Sequence, residues 1–396
     1  MFSSRRRVYL DYNATHPLLA EARAALVDSL ELYGNPSSVH DEGRRARAAV
    51  EAARRDVARL VGASPEDVVF TGSATEAAVT CLTPRWVRDG REIAVEALAV
   101  CDADHPATRE GGQFPPEAVT RLAVDASGIV DMRALEQWLA GLGGRTGMLA
   151  LGLANGETGV VQPLDEVRTA FAGRDVILVL DAVQAAGRMP LAIGELGADA
   201  LVLSGHKIGA AKGVGALVLG RESLRPFRLL PGGGQEHGMR SGTEAVPSIV
   251  SFGAAARIAA ERASSGGSYF RALRERIVER LRAEECNFTV VGEVAARLDN
   301  TLAIVAPGVK AETAQIALDL EGFAVSAGSA CASGKVGTNH VLAAMAAGGL
   351  AVDPAMGLVR VSLGTDTTEV DADAFSASFA KIVRRAQESM RARRAA

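Results

Sequence analysis

Two patterns of apolar residues alternate along this chain. One consists of short continuous runs, at residues 68–71, 148–153, 176–180, 200–203 and 215–219, too short for helices and without the polar alternation of half-exposed strands. Such runs predict strands covered on both faces. Further extended stretches are expected at 93–95 and 122–124. The second pattern places apolar residues three and four apart. Ala46, Val50, Ala53, Val57 and Leu60 form the longest such stripe, with arginines opposite and Gly62 as the stop. Helices are likewise predicted over 18–33, ended by Gly34-Asn35-Pro36, and over 131–142 and 164–171. Repeated strand–helix units of this size predict an α/β fold whose mostly parallel sheet is sandwiched by helices.

Beyond residue 248 the pattern changes. A helix toward Ser264 is broken by Gly266-Gly267, and a charged helix over 269–285 leads to strands at 289–291, 302–305 and 358–363, a helix at 312–320 and a final helix. This predicts a smaller α+β domain. The large domain is placed at 16–260, and the small one at 261–396 together with residues 1–15.

The 396 residues, 48% of them hydrophobic, suffice for two cores. A net charge of -4, evenly spread, argues against nucleic acid and against a membrane surface. No run of about 18 apolar residues occurs, and Tyr9-Leu10-Asp11 comes too early for a signal peptide, so a cytoplasmic protein is expected. The four cysteines, Cys81, Cys101, Cys286 and Cys331, lack C-x-x-C spacing, which disfavours a structural zinc site or disulfide framework.

In a parallel sheet the reactive groups gather at the carboxyl ends of strands. There the sequence has Cys101-Asp102-Ala103-Asp104-His105, Asn155-Gly156-Glu157-Thr158-Gly159, Asp181-Ala182-Val183-Gln184 and Ser204-Gly205-His206-Lys207. A lysine held at a strand end is suited to forming a Schiff base with a carbonyl cofactor such as pyridoxal phosphate. Alone, Lys207 would read as a solvated surface residue; its company decides. Asp181 ends an apolar run, so its carboxylate needs a donor or a cation, and a protonated pyridine nitrogen is one. Capping a helix from Val183 would serve equally. Gly72-Ser73-Ala74-Thr75-Glu76, between a strand and a helix, offers a phosphate seat or simply an N-cap.

Three further segments complete the candidate chemistry. The glycine-rich stretch from Gly232 to Thr243 reads as a linker or as a segment passing close to a ligand or a neighbouring subunit, and its Arg240-Ser241-Gly242-Thr243 end favours the latter. Cys331 lies among Gly328, Ser329, Ala330, Ala332 and Ser333, with Lys335 and His340 near in sequence, a setting suited to a nucleophilic thiolate. Arg360 interrupts an apolar strand with a cation fit to grip a carboxylate, or simply sits on its wet face.

Together with Asp11-Tyr12-Asn13-Ala14-Thr15 and Gly34-Asn35-Pro36-Ser37-Ser38, these motifs resemble, in order and over nearly the whole chain, the cysteine desulfurases of the nitrogen-fixation and iron–sulfur-cluster type. These are fold-type I pyridoxal-phosphate enzymes of the class-V aminotransferase family. The resemblance implies that Lys207 carries pyridoxal phosphate, Asp181 pairs with its ring nitrogen, Gln184 bonds the ring oxygen, and His105 stacks on the ring and shuttles protons. It implies that Ala74, Thr75, Ser204 and His206 hold the phosphate, joined by Thr243 from the other subunit of a homodimer. Arg360, with Asn35, would bind the carboxylate of L-cysteine, and Cys331 would accept the sulfur and serve as a transient iron–sulfur ligand. A scaffold for iron–sulfur clusters, or another sulfur acceptor, would be the partner. The family usually has a second Asn where this chain has Gly156, so Asn155 is expected either to take over that cofactor contact or to leave it unmade. A selenocysteine lyase and a non-catalytic scaffold of the same fold are the alternative readings.

Overall fold

The computed structural model describes residues 6–328 and 339–395. Its largest sheet has seven strands in the order Val68–Thr71, Gly215–Leu219, Ala200–Ser204, Val176–Asp181, Gly147–Gly152, Ala97–Cys101 and Val119–Leu122. Gly215–Leu219 runs antiparallel to both neighbours, and the remaining pairings are parallel. The inner strands are buried throughout apart from the half-buried residues at their ends, as continuous apolar runs require once helices cover both faces. Asp41–Leu60 and Val246–Ser265 pack against each other on one of these faces.

Three sequence readings need correction. The stretch at 93–95 is not part of this sheet: Arg91–Ala94 pairs with Arg85–Arg88, and that strand with Leu224–Pro226, in a separate three-stranded antiparallel sheet. Asp89-Gly90, at φ +51° and +75°, makes the two-residue turn. The strand that delivers Asp104 and His105 is Ala97–Cys101, and its parallel neighbour ends at Leu122 rather than 124. Asp181 caps no helix either. Its Oδ1 accepts from Val183 N at 3.0 Å within a series of turns.

A second apolar core lies toward the carboxyl end. Thr289–Val290, Thr301–Val305 and Val359–Ser362 form an antiparallel sheet covered by Ser268–Ala283 and Glu369–Ala395. Phe375 and Phe379 stack at 5.8 Å within it, and Leu10 joins them. Burying each such side chain contributes about 1.5–3 kcal/mol. The N-terminal segment belongs to this layer through Val8–Tyr9, which pairs in parallel with Phe323–Ala324. From there it crosses to the large sheet, where His16 N donates to His206 O at 3.0 Å. That crossing lays residues 11–16 directly over the strand ends.

Candidate active site

At those ends lies a cavity of about 440 Å³ whose lining includes Thr75, His105, Asp181, Gln184, Ser204 and Lys207. Ala74, Asn155 and His206 border it too. Lys207 Nζ donates to the carbonyl oxygens of Asn13 at 2.6 Å and Ala14 at 3.0 Å, so the crossing N-terminal segment holds the amine at the cavity wall.

The turn after Val68–Thr71 has its own support. Ser73 caps the helix Ala74–Cys81 by accepting from Glu76 N at 3.1 Å. Among the described residues, the N–H groups of Ala74 and Thr75 donate to no protein acceptor. Glu76 accepts from Gly72 N at 2.8 Å and from Arg240 Nε at 2.9 Å, which ties the turn to the glycine-rich segment. That segment is itself pinned. Buried Glu236 takes bidentate bonds of 2.7 and 2.9 Å from Arg54 and a third from Phe70 N. Two donors left over at a helix start, beside the hydroxyls of Thr75 and Ser204, suit a phosphate. Burial first, with Lys207 and Lys212 adding repulsion, pushes His206 down to about 4.

Two carboxyls face this cavity, those of buried Asp104 and half-buried Asp181. Burial raises Asp181, opposed by the Val183 N–H and by His105 and Lys207. Asp104, 4% exposed, is pushed up to about 8, by burial first and by Asp181 in addition, while accepting from Gly152 N at 2.8 Å. A side chain at Gly152 would place its Cβ 2.7 Å from Asp104 Oδ1. His105 caps the short helix Pro106–Arg109, with Nδ1 3.1 Å from Ala107 N. Burial lowers its pKa, and Lys207 and His340 add to this against Asp181, so the ring is neutral at neutral pH.

Asp104 gives a pH test. It keeps its proton up to about 8 in the fold and loses it near 3.8 when unfolded, so between those values the native state binds more protons and stability falls as pH rises. Asp104→Asn removes this slope. Its melting temperature relative to the wild type, by scanning calorimetry, is expected to be higher at pH 8 than at pH 5, and parallel curves would refute the assignment.

Other expected residues lie elsewhere. Asn35 is exposed, its Oδ1 accepting from Ser37 N at 2.8 Å, and it does not line the cavity of its own chain. Neither does exposed Thr243. Arg360, 4% exposed, sits behind the wall and binds Asp11 at 2.7 Å, Glu157 at 3.0 Å and Gly156 O at 3.1 Å. Asn155 lines the cavity, but its carboxamide is engaged: Nδ2 donates to Ala103 O at 2.8 Å and Oδ1 accepts from Glu157 N and Thr158 N. A Cβ at Gly156 would lie 3.1 Å from Gln184 Nε2, so Gln184 takes the space. Cys331 lies outside the described residues. The chain leaves the description at Gly328 and returns at Asn339, which both line the cavity and are joined by a 2.7 Å bond from Asn339 Nδ2 to Gly328 O.

Asn13 was missed as a functional residue. Only 1% exposed, it accepts from Lys207 and Gln184 through its carbonyl, donates to Gly156 O and Thr301 Oγ1, and accepts from Asn300. A hub of this kind depends on the meeting of five segments, and no local pattern announces it. Burial raises the thiol pKa of Cys81 and Cys101, which fits inert core cysteines.

Among the described residues, no group of three or more His, Cys, Asp or Glu side chains could hold a metal ion, and no helix is long and apolar enough to cross a membrane. Residues 8–375 match the class-V aminotransferase family. Cysteine desulfurase 2 of Trichormus variabilis is 38% identical over 372 residues, 92% of this chain and 90% of that protein. The X-ray structure of a NifS-like protein from Rickettsia africae superposes with a TM-score of 0.82 at 29% identity, covering 95% of this chain and 99% of that one. SspA in complex with cysteine superposes at 0.70 with 25% identity, over 90% and 98% of the two chains.

Proposed function

Because the chain belongs to the class-V aminotransferase family, and within it to the cysteine desulfurases, we propose that the cavity seats pyridoxal phosphate and that Cys331 takes the sulfur of L-cysteine, releasing L-alanine. The observation that carries this reading is the convergence of the Lys207 amine, the half-buried Asp181 carboxyl and two spare helix-start N–H groups on one cavity. When bound, pyridoxal phosphate supplies an aldehyde that condenses with amines and a ring that accepts the electron pair left as a substrate Cα–H bond breaks.

Each residue then has a task. Ala74, Thr75 and Ser204 grip the phosphate, and His206 supports it. Asp181 would hold the proton of the ring nitrogen, Gln184 would meet the ring oxygen, and His105 would lie against the ring. Lys207 would hold the aldehyde, and its amine, once released, carries the proton taken from the substrate Cα. Arg360 takes the substrate carboxylate in place of Glu157, whose carboxyl burial pushes up toward the neutral form. The Cys331 thiolate attacks the substrate sulfur. As its new S–S bond forms, the Cβ–S bond breaks and its electron pair goes to Cβ, which takes up a proton, and the Lys207 amine returns the proton to Cα to complete alanine. Cys331 follows Gly328, which borders the cavity, by three residues in the sequence.

Thr243, exposed on its own chain, is available to a second subunit's phosphate seat in a homodimer. The persulfide passes to an iron–sulfur scaffold or another acceptor protein, since a reactive sulfane sulfur needs a thiol to receive it. Mass spectrometry after incubation of the holoenzyme with L-cysteine tests the reading. Expected is one added sulfur on the peptide containing Cys331, with alanine formed in step; alanine without sulfur on that peptide would refute the role of Cys331.

A further inference from the structure

Lys207 borders a second, smaller cavity of about 70 Å³, at the junction between the helix end Gly266-Gly267 and the N-terminal crossing. Two guanidinium groups line it. Arg188 donates from Nη1 to Gln184 O at 2.7 Å and Oε1 at 2.8 Å, and from Nη2 to Tyr12 O at 3.4 Å. Its Nε–H and second Nη2–H have no acceptor among the described residues. Arg262 directs Nη1 at His16 Nε2, 3.4 Å away. The other nitrogen of that ring, Nδ1, lies 2.6 Å from Pro17 O, which places the proton on Nδ1 and leaves Nε2 as the acceptor.

Neither arginine has a carboxylate within 4.0 Å among the described residues. The acid in the wall, Asp299, is committed to Arg271 at 2.9 Å, with Arg274 at 4.0 Å. Glu21 and Asp366 act on Arg262 only from a distance. Two half-buried guanidiniums without a paired anion are costly, and the cost falls when an anion enters. Burial pushes Arg188 down to about 10, which still leaves it charged at neutral pH.

We propose that this cavity, bounded by Arg188, Arg262 and His16, binds a small tetrahedral oxyanion of the size and charge of sulfate or phosphate. A space this size exceeds that of one water, for which about 10–15 Å³ suffices, and admits one such ion. Planar guanidinium forks match two of its oxygens at once. A halide has no oxygens for the forks to pair, and an amino acid substrate exceeds the space. The anion would act on the larger cavity through Arg188, which donates to the backbone carbonyl and the side-chain Oε1 of Gln184.

Equilibrium dialysis of the holoenzyme against labelled sulfate tests this, with the cofactor filling the phosphate seat and ionic strength held with sodium chloride. Expected is one sulfate bound per chain, at least tenfold weaker binding in Arg188→Met and in Arg262→Gln, and intermediate binding in Arg262→Lys. A saturable rise in wild-type melting temperature with sulfate, absent with chloride at equal ionic strength, is expected alongside. Sulfate bound equally by all the variants, or an equal effect of chloride on the wild type, would overturn the proposal. The wild-type comparison decides even if a variant fails to fold. No turnover is measured, so the outcome stands apart from the fate of the desulfurase assignments.

Discussion

Lys207→Ala is expected to lower alanine formation from L-cysteine by at least about 10³-fold, the range that general acid–base and nucleophilic groups supply. The amine is held by the carbonyls of Asn13 and Ala14 at 2.6 and 3.0 Å, an arrangement that fixes its position at the cavity wall. Removing it leaves the proposed phosphate seat of Ala74, Thr75 and Ser204 in place, so the variant should still retain cofactor on dialysis. That separates a chemical loss from a binding loss. Lys207→Arg should be as inactive, because a guanidinium does not surrender its proton near neutral pH. Borohydride reduction followed by peptide mapping should mark Lys207 in the wild type and nothing in either variant. A variant rate within tenfold of the wild type would remove Lys207 from the chemistry.

That Lys207 and Asp181 would meet at one sheet edge was legible in the sequence because a doubly covered parallel strand is written as an unbroken apolar run, and the first polar residue after it stands at that edge. The same rule failed at 93–95. There Arg91–Ala94 carries apolar content without being central, and the turn that exposes its true pairing, Asp89-Gly90, was the available signal. The separate sheet is half exposed, so tertiary position rather than local preference decides its pattern. Distances between segments were beyond sequence reading. Arg360 was read as a carboxylate grip, and the fold adds that Asp11 and Glu157 already hold it, from segments 349 and 203 residues away. At Asn155 the fold adds a local Asx turn, in which Oδ1 accepts from Glu157 N and Thr158 N while the residue lines the cavity.

Asp181→Asn is expected to cost the next largest factor, about 10²–10³ in rate, with cofactor affinity far less affected. The substitution keeps an oxygen that can accept from Val183 N, so the turn 181–184 should stand. What disappears is a negative charge in a buried setting, where it attracts the proton of a ring nitrogen more strongly than any exposed group could. Burial by itself favours the neutral acid at Asp181, and a cationic ring nitrogen reverses that preference. Proton and carboxylate therefore stabilise each other only when the cofactor is seated, which makes the ring the stronger electron acceptor. Asp104→Asn serves as the control. It also removes a buried acid beside Asp181, yet Asp104 already holds its proton up to about 8, so at pH 7 the change removes little charge and should alter the rate by less than about tenfold. Single-turnover rates of both variants at pH 7, with cofactor occupancy matched, distinguish the two carboxyls. Equal losses in both would mean that general packing of the pair, and not the charge of Asp181, sustains the reaction.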